Sequence, residues 1–552
     1  MRVSARGALL SATYTSLATA SCSLPFDVRE SSIEGIHNAL LTGLTTCRDI
    51  VSSFIARIEE FNPTVNAIVS LNPNALDVAD DLDARIASGN TTGALFCIPI
   101  LLKDNFDAVG MPTTGGCRAL ADLHPNSDAP TVTAFKDAGA VILGKANLHE
   151  LALEGISVSS QGGQTINAYD QTRTPGGSSG GTGAAVAASF SVFGTGTDTV
   201  NSLRSPASAN NLFSFRPTWG LISRAGVIPC GYTQDTVGAI GRSVKDLAVA
   251  MTVMASVGYD SADNSTSLIP PELLGKDYSA SVHGGTLAGK RLGLVLGFQN
   301  FTDSPETTPV NDAMANMASL LQAAGAEVVN VADSVYNATA LIADTDVQQH
   351  EYRQLIDEYL GQPNLTGTFP RSFFELYEET EDFLVIPGQY GYIDTAIHGS
   401  TTNTTYLTKQ RNIRNLVLKL HSTFQELELD ALIYPQQKNL VVKLGSPSQS
   451  GRNGILAAVT GVPVVVVPAG FSSPTEDAPI GVPIGMEILG LPWTEDKLLN
   501  IAQHVSELAP MRRMPPFAKR SVEVTQRYES VPVITPNTDN ISPNYPLGRI
   551  RA

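Results

Sequence analysis

Pro175-Gly176-Gly177-Ser178-Ser179-Gly180-Gly181 opens onto a run of small residues, 182–189, and the meaning of the whole chain turns on this stretch. Glycine at this density lets backbone come close to a ligand or to another chain segment, and hydroxyls at a helix start either cap orphan N–H groups or face chemistry. A closely packed helix is therefore predicted over 182–189. Alone, a Gly/Ser turn before a helix is a structural device. Its neighbours change that reading. Upstream, Lys103-Asp104 closes the apolar run 96–102. Downstream lies Gly196-Thr197-Asp198-Thr199-Val200-Asn201-Ser202-Leu203-Arg204, with Ser202 24 positions after Ser178.

Further out, the chain alternates between two patterns. Short apolar runs bounded by Gly and Pro, at 96–102, 140–143 and 462–467, suit strands buried on both faces, and a further strand is predicted over 291–296. Between them, residues 46–61, 132–138, 243–257, 310–324 and 494–507 have helical spacing. The first of these places Ile50, Val51, Phe54, Ile55 and Ile58 on one face and has Asn62-Pro63 as its stop. The alternation predicts an α/β fold, a large mixed β-sheet covered by helices on both faces. Residues 261–289, rich in Ser, Asp, Gly and Pro, are a candidate domain boundary. Residues 345–425 carry more charge and more aromatics (Tyr352, Tyr359, Phe373, Phe374, Tyr377, Phe383) and are expected to form a mostly helical cap. The expected organisation is a leader over 1–20, one domain over 21–530 and an extended tail over 531–552.

The three segments around Lys103, Ser178 and Ser202 together resemble the amidase signature family. That family carries Pro-x-x-x-Lys-Asp, Gly-Gly-Ser-Ser-Gly-Gly and Thr-Asp-x-Gly-Gly-Ser-x-Arg in this order, with this spacing between the serines. Asn62-Pro63-Thr64-Val65-Asn66-Ala67, Gly144-Lys145-Ala146-Asn147, Arg216-Pro217-Thr218-Trp219-Gly220, Gly461-Val462-Pro463, Pro468-Ala469-Gly470-Phe471 and Gly481-Val482-Pro483-Ile484-Gly485 look like further landmarks, so the resemblance spans residues 40–510 or so. It implies hydrolysis of a carboxamide through an acyl-enzyme, with Ser202 as nucleophile, Ser178 as a bridging serine in a cis peptide, and Lys103 as terminal base. The N–H groups of Thr199, Val200, Asn201 and Ser202 would form the oxyanion hole, with Ser179 beside them in the substrate-binding set. Asp198 and Arg204 would orient that loop. The resemblance implies no metal, no cofactor and no partner beyond a small-molecule amide.

The chemistry sets its own demands. Lysine acts as a base only when neutral, so its pKa must fall by about 3 units from about 10.4, which burial achieves. Lys103 follows an apolar run, which suits a buried place at a strand end. The chain departs from the family at Val200-Asn201, where Gly-Gly is usual. A valine is disfavoured at positive φ, so this loop either keeps negative φ at 200 or forfeits a donor, and one lost donor costs about 2.7–4 kcal/mol of barrier. Related acyl chemistry (ester hydrolysis, or amide formation on a specialised metabolite) and a non-catalytic binding protein on the same fold are the alternative readings. Keeping Lys103, Ser178 and Ser202 together argues against the last. No Gly-x-Ser-x-Gly elbow surrounds either serine, which argues against a Ser-His-Asp triad. Gly139 to Ala146 imitates a phosphate-binding loop, but Ala146 stands where Ser or Thr must hold Mg²⁺, and apolar strand formers fill the interval.

Composition excludes other classes. Thirty-six Lys and Arg against 53 Asp and Glu give a net charge of −17, which repels polyanions and forfeits counterion release, so nucleic acid is not an expected partner. For that reason the glutamine-hydrolysing component of tRNA amidotransferases, which shares these motifs, is set aside. Arg2 and Arg6 precede an uncharged stretch, 7–20, ending Ala18-Thr19-Ala20, the layout of a cleaved secretory signal. Sequons at Asn90, Asn264, Asn300, Asn337, Asn364, Asn403 and Asn540 are compatible with secretion. Beyond the leader no apolar run is long enough for a membrane span. Cys22, Cys47, Cys97, Cys117 and Cys230 are too few and irregular for a disulfide scaffold, though one or two bridges suit an oxidising compartment. Scattered histidines offer no zinc spacing, so no metal is expected.

Overall fold

The structure is a computed structural model, and it describes residues 26–522 and 528–548. The leader expected over 1–20 lies outside the described residues. Eleven strands form one sheet: β1 (Ile68–Leu71), β2 (Pro99–Lys103), β3 (Val141–Ala146), β4 (Phe193–Asp198), β5 (Phe213–Arg216), β6 (Thr236–Gly241), β7 (Arg291–Val295), β8 (Glu327–Val331), β9 (Ala431–Pro435), β10 (Val464–Phe471) and β11 (Pro483–Leu489). Their spatial order is β1-β3-β2-β4-β6-β5-β10-β11-β9-β7-β8. The pairs β2/β3, β2/β4, β7/β8 and β7/β9 are parallel and the others antiparallel, so the sheet is mixed.

Every residue of β2, β3, β4, β6, β9 and β11 is buried. Successive strand residues face opposite sides. Both faces of the sheet are therefore covered, which is why 99–102 of β2 and 141–143 of β3 read as apolar runs instead of alternating ones, while β4 also buries Thr195, Thr197 and Asp198. Only the edge strand β8 has exposed residues, Glu327 and Asn330. The predicted helices are present, at Cys47–Val65 (α1), Pro130–Asp137, Val244–Ala255, Thr308–Ala323 and Glu495–Leu508. α1 does not stop at Asn62-Pro63. It runs through Pro63 to Val65, because a proline in the last turn costs little when the end is capped by other means. Asn66 closes the helix at φ 49° with its N–H on the Asn62 carbonyl at 2.7 Å, and the Asn62 side-chain oxygen accepts from Ala67 N and Ile68 N.

Residues 261–289 are three short 3₁₀ turns whose Tyr278, Val282 and Leu287 are buried in the main core beside the Val244–Ala255 helix. Residues 345–425 contain the helices Gln348–Leu360, Tyr390–Ile397 and Thr404–Glu426. There Tyr352, Tyr359, Phe373, Tyr377 and Phe383 make a core of their own with Leu120, Leu151 and Cys230, while Phe374 faces solvent. The tail has no helix or strand from Val531 to Thr538 and is pinned, with Asn537 N on Asn66 Oδ1 at 3.0 Å and Asn540 Oδ1 accepting from Gln164 N at 2.8 Å.

Candidate active site

The parallel pairing of β2 with β3 and β4 brings three carboxyl ends to one edge, the usual place for a site in an α/β sheet. β2 ends in Lys103, β4 ends in Asp198, and Lys103 N donates to Thr195 Oγ1 at 3.0 Å. Between these ends the glycine-rich loop turns into α2 (Gly180–Ala187), two residues earlier than its small-residue run predicts. A Cβ at Gly181 would lie 2.2 Å from the Asn147 carbonyl oxygen, and Gly176, at φ +71°, would meet Ser205 at 2.7 Å. The loop is rich in glycine because it is wedged between the turns after β3 and β4.

Lys103 is fully buried and its Nζ donates to Ser178 Oγ at 2.8 Å and to Thr197 Oγ1 at 2.6 Å. Burial pulls its ammonium down from 10.5 to about 7, against the opposing pull of Cys230, Asp235 and Asp198. Ser178 follows a cis peptide after Gly177, and its carbonyl accepts from His149 N at 2.9 Å. Ser202 is buried and lines a cavity of about 70 Å³ together with Thr199, Val200 and Asn201. Glu154, Gln389 and Arg452 also face that cavity. Among the described residues Ser202 Oγ makes no hydrogen bond to Ser178; the two loops meet through Ser179 N on Ser202 O at 3.3 Å. The Ser179 hydroxyl points to the Thr197 carbonyl at 3.4 Å, not into the cavity. No histidine side chain is hydrogen-bonded to either serine among the described residues.

The loop before Ser202 hangs on a buried ionic network. Asp198 accepts from Arg204 Nε and Leu203 N, at 3.0 and 3.1 Å, and pairs with Arg216 at 2.8 Å. Arg204 also pairs with Glu487 of β11 at 2.7 Å. Burial alone would raise the Asp198 carboxyl, but Arg204 and Arg216 outweigh it and hold it at about 2. Val200 does not take positive φ, and it is buried in the same apolar cluster as Val295, Phe298 and Ile455. Asn201 Nδ2 reaches Gln449 Oε1 at 3.1 Å. Among the described residues the main-chain N–H groups of Thr199, Val200, Asn201 and Ser202 find no protein acceptor. A second cavity of about 240 Å³ shares Thr199 and Ala152 with the first and runs past Thr197, Cys230 and Asp235 to Tyr359.

Sequence reasoning passed over Thr197, Gln234, Asp235 and Glu487. Thr197 stood inside a quoted motif. Glu487 had a signal, a lone carboxylate in an otherwise apolar strand. Asp235, which accepts the Thr199 hydroxyl at 2.6 Å and the N–H groups of Cys230 and Gly231, had none. Lys145, in the discarded phosphate-loop imitation, is buried on the carbonyls of Phe106 and Pro112, 3.5 Å from Asp104.

A near-neutral buried lysine on one serine, beside a second serine in a cavity lined by residues whose N–H groups have no protein acceptor among the described residues, is the equipment of a serine hydrolase that works without histidine. The Amidase family matches residues 49–499, and the chain belongs to that family. It is similar to a chloroplastic/mitochondrial glutamyl-tRNA(Gln) amidotransferase component of Zea mays (31% identity, 86% of this chain and 88% of that one). Among solved structures it is similar to the native peptide amidase of Stenotrophomonas maltophilia (31% identity, 88% of this chain and 99% of that one, TM-score 0.76) and to an amidase family protein of Bacillus anthracis (26%, 88% and 92%, TM-score 0.75). The chain is an amidase, a hydrolase of carbon–nitrogen bonds in amides. No helix among the described residues is long and apolar enough to cross a membrane.

Proposed function

We propose that Lys103, Ser178 and Ser202 form the relay that performs this hydrolysis. The observation that carries the reading is Lys103 Nζ at 2.8 Å from Ser178 Oγ with its pKa brought to about 7 by burial. Neutral Lys103 takes the proton of Ser178, and Ser178 takes that of Ser202 once the Ser202 hydroxyl turns toward it; such contacts tighten when substrate binds. Ser202 Oγ then bonds to the amide carbon, and the carbonyl oxygen becomes an oxyanion under the N–H groups of residues 199–202. Collapse breaks the C–N bond, and the proton on Lys103 returns through Ser178 to the departing nitrogen. Water hydrolyses the ester by the same route in reverse.

The substrate we propose is a small peptide-like carboxamide. The likeness to peptide amidases supports it, as does a polar cavity at Ser202 that lies beside a larger one. A role within a tRNA amidotransferase, as in the Zea mays relative, sits poorly with a net charge of −17. We also place the protein on the secretory route. Arg2 and Arg6 before the uncharged stretch 7–20 support this, as do the Cys47–Cys97 disulfide and sequons none of which is buried. Ammonia release from a panel of peptide amides, free glutamine and small aliphatic amides tests the reading. Release from peptide amides that is lost in Ser202→Ala is expected; hydrolysis of glutamine alone would overturn the substrate proposal.

A further inference from the structure

The oxyanion loop is held from behind. In a trans peptide the C=O and N–H of one plane point in opposite directions, so fixing a carbonyl aims the N–H that follows it. Each of the four planes ending in residues 199–202 has its carbonyl taken by a buried donor. Arg216 Nη1 donates to Asp198 O, Gln234 Nε2 to Thr199 O at 3.2 Å, Arg204 Nη2 to Val200 O, and Ser205 N to Asn201 O at 2.8 Å. The four N–H groups on the other side are those left without a protein acceptor, and their residues line the Ser202 cavity. A glycine at 200 is not needed to aim the N–H if the peptide plane is set by its carbonyl.

We infer that Gln234 is a positioning residue for the reaction: by donating to Thr199 O it aims the Val200 N–H at the developing oxyanion. This rests on the relay and oxyanion loop proposed above. Gln234 is fully buried, and its other side-chain atom, Oε1, accepts from Val347 N at 3.0 Å, at the N-cap of the helix Gln348–Leu360, α3. Its neighbours brace the same joint. Thr233 is bound by Glu351 of α3, and Asp235 accepts the Thr199 hydroxyl. The residues 233–235 thus connect the 345–425 helices to the loop that stabilises the transition state. Of the four carbonyl donors, Gln234 is the one that is neither part of the ionic network nor of the chain segment just after Ser202.

Two variants separate aiming from simple support. Gln234→Met removes both contacts. Gln234→Glu, assayed at pH 9 where its carboxylate is ionised and Lys103 is neutral, keeps an acceptor for Val347 N but has no donor for Thr199 O. Aiming predicts that both lose about ten- to hundredfold in kcat, less than the 10²–10³ of an outright lost donor, with KM changed less than about threefold. The apparent pKa governing kcat/KM stays where it is in the wild type for Gln234→Met, since Lys103 is untouched. Gln234→Glu within about twofold of wild type would overturn the inference, because docking α3 would then be the whole role. So would a loss confined to KM, or failure of both variants to fold with a wild-type thermal midpoint. Wild-type ammonia release that vanishes in Ser202→Ala secures the underlying reading separately; its absence would sink that reading and not the geometry of Gln234 alone.

Discussion

Lys103 carries the chemistry because burial has made it nearly neutral. As a base it works unprotonated, so kcat/KM should rise with pH through an apparent pKa near 7 and level off above it. The same shift has a stability consequence of known sign. The folded state binds this proton less tightly than the unfolded chain, so between pH 7 and 10.5 stability grows as pH rises. Lys103→Met should lower kcat by about 10²–10⁴. Urea unfolding at pH 7 and at pH 10 should also show wild type gaining on Lys103→Met at the higher pH; an equal difference at both would mean that the lysine titrates normally in the fold. Lys103, Ser178 and Ser202 were legible in the sequence because each sits in a dense local pattern. The glycines around Ser178 and the apolar run before Lys103 announce close packing and burial before any partner is known.

Where one element must meet another, less could be read. Glu487 lies 283 positions from Arg204, and their pairing exists only because β11 and the loop after β4 converge across the sheet. Gln234 is a neutral residue in a connecting turn, and no periodicity or spacing marks it. Pro63 misled in the other direction, since the cap supplied by Asn62 and Asn66 lets α1 continue through it. The buried ionic network makes a prediction of its own. Glu487→Ala leaves Arg204 with an unmatched part of its charge in the interior, which should cost about 3–5 kcal/mol, whereas Glu487→Gln retains a hydrogen-bond acceptor and should cost less. Urea denaturation midpoints read the difference, and equal costs would show that the charge on Glu487 does not matter.

Across the whole molecule, part of the sheet was legible because strand segments such as 464–467 are apolar where both faces are buried, whereas alternation with helices signals parallel pairing and leaves an antiparallel pair such as β5/β6, joined without a helix, unmarked. The strand order was not, since it depends on contacts between segments hundreds of residues apart. Nor was the cysteine pairing. The bridge Cys47–Cys97, closing a separation of 50 residues, ties the start of α1 to the segment entering β2, which carries Lys103. Cross-linking over such a loop stabilises by about 2–4 kcal/mol, mainly by restricting the unfolded chain. Replacing both cysteines by alanine should lower the thermal midpoint by a few degrees and leave kcat nearly unchanged, because the site's contacts do not pass through the bridge. A large loss of kcat at an unchanged midpoint would mean that the bridge positions β2.

The relay itself is tested most directly by a fluorophosphonate serine probe, with the labelled peptide mapped by mass spectrometry in wild type, Ser202→Ala and Lys103→Ala. Labelling is expected at Ser202, lost in Ser202→Ala and slowed by at least about a hundredfold in Lys103→Ala. Labelling at another serine, or labelling of Ser202 at the wild-type rate without Lys103, would contradict it.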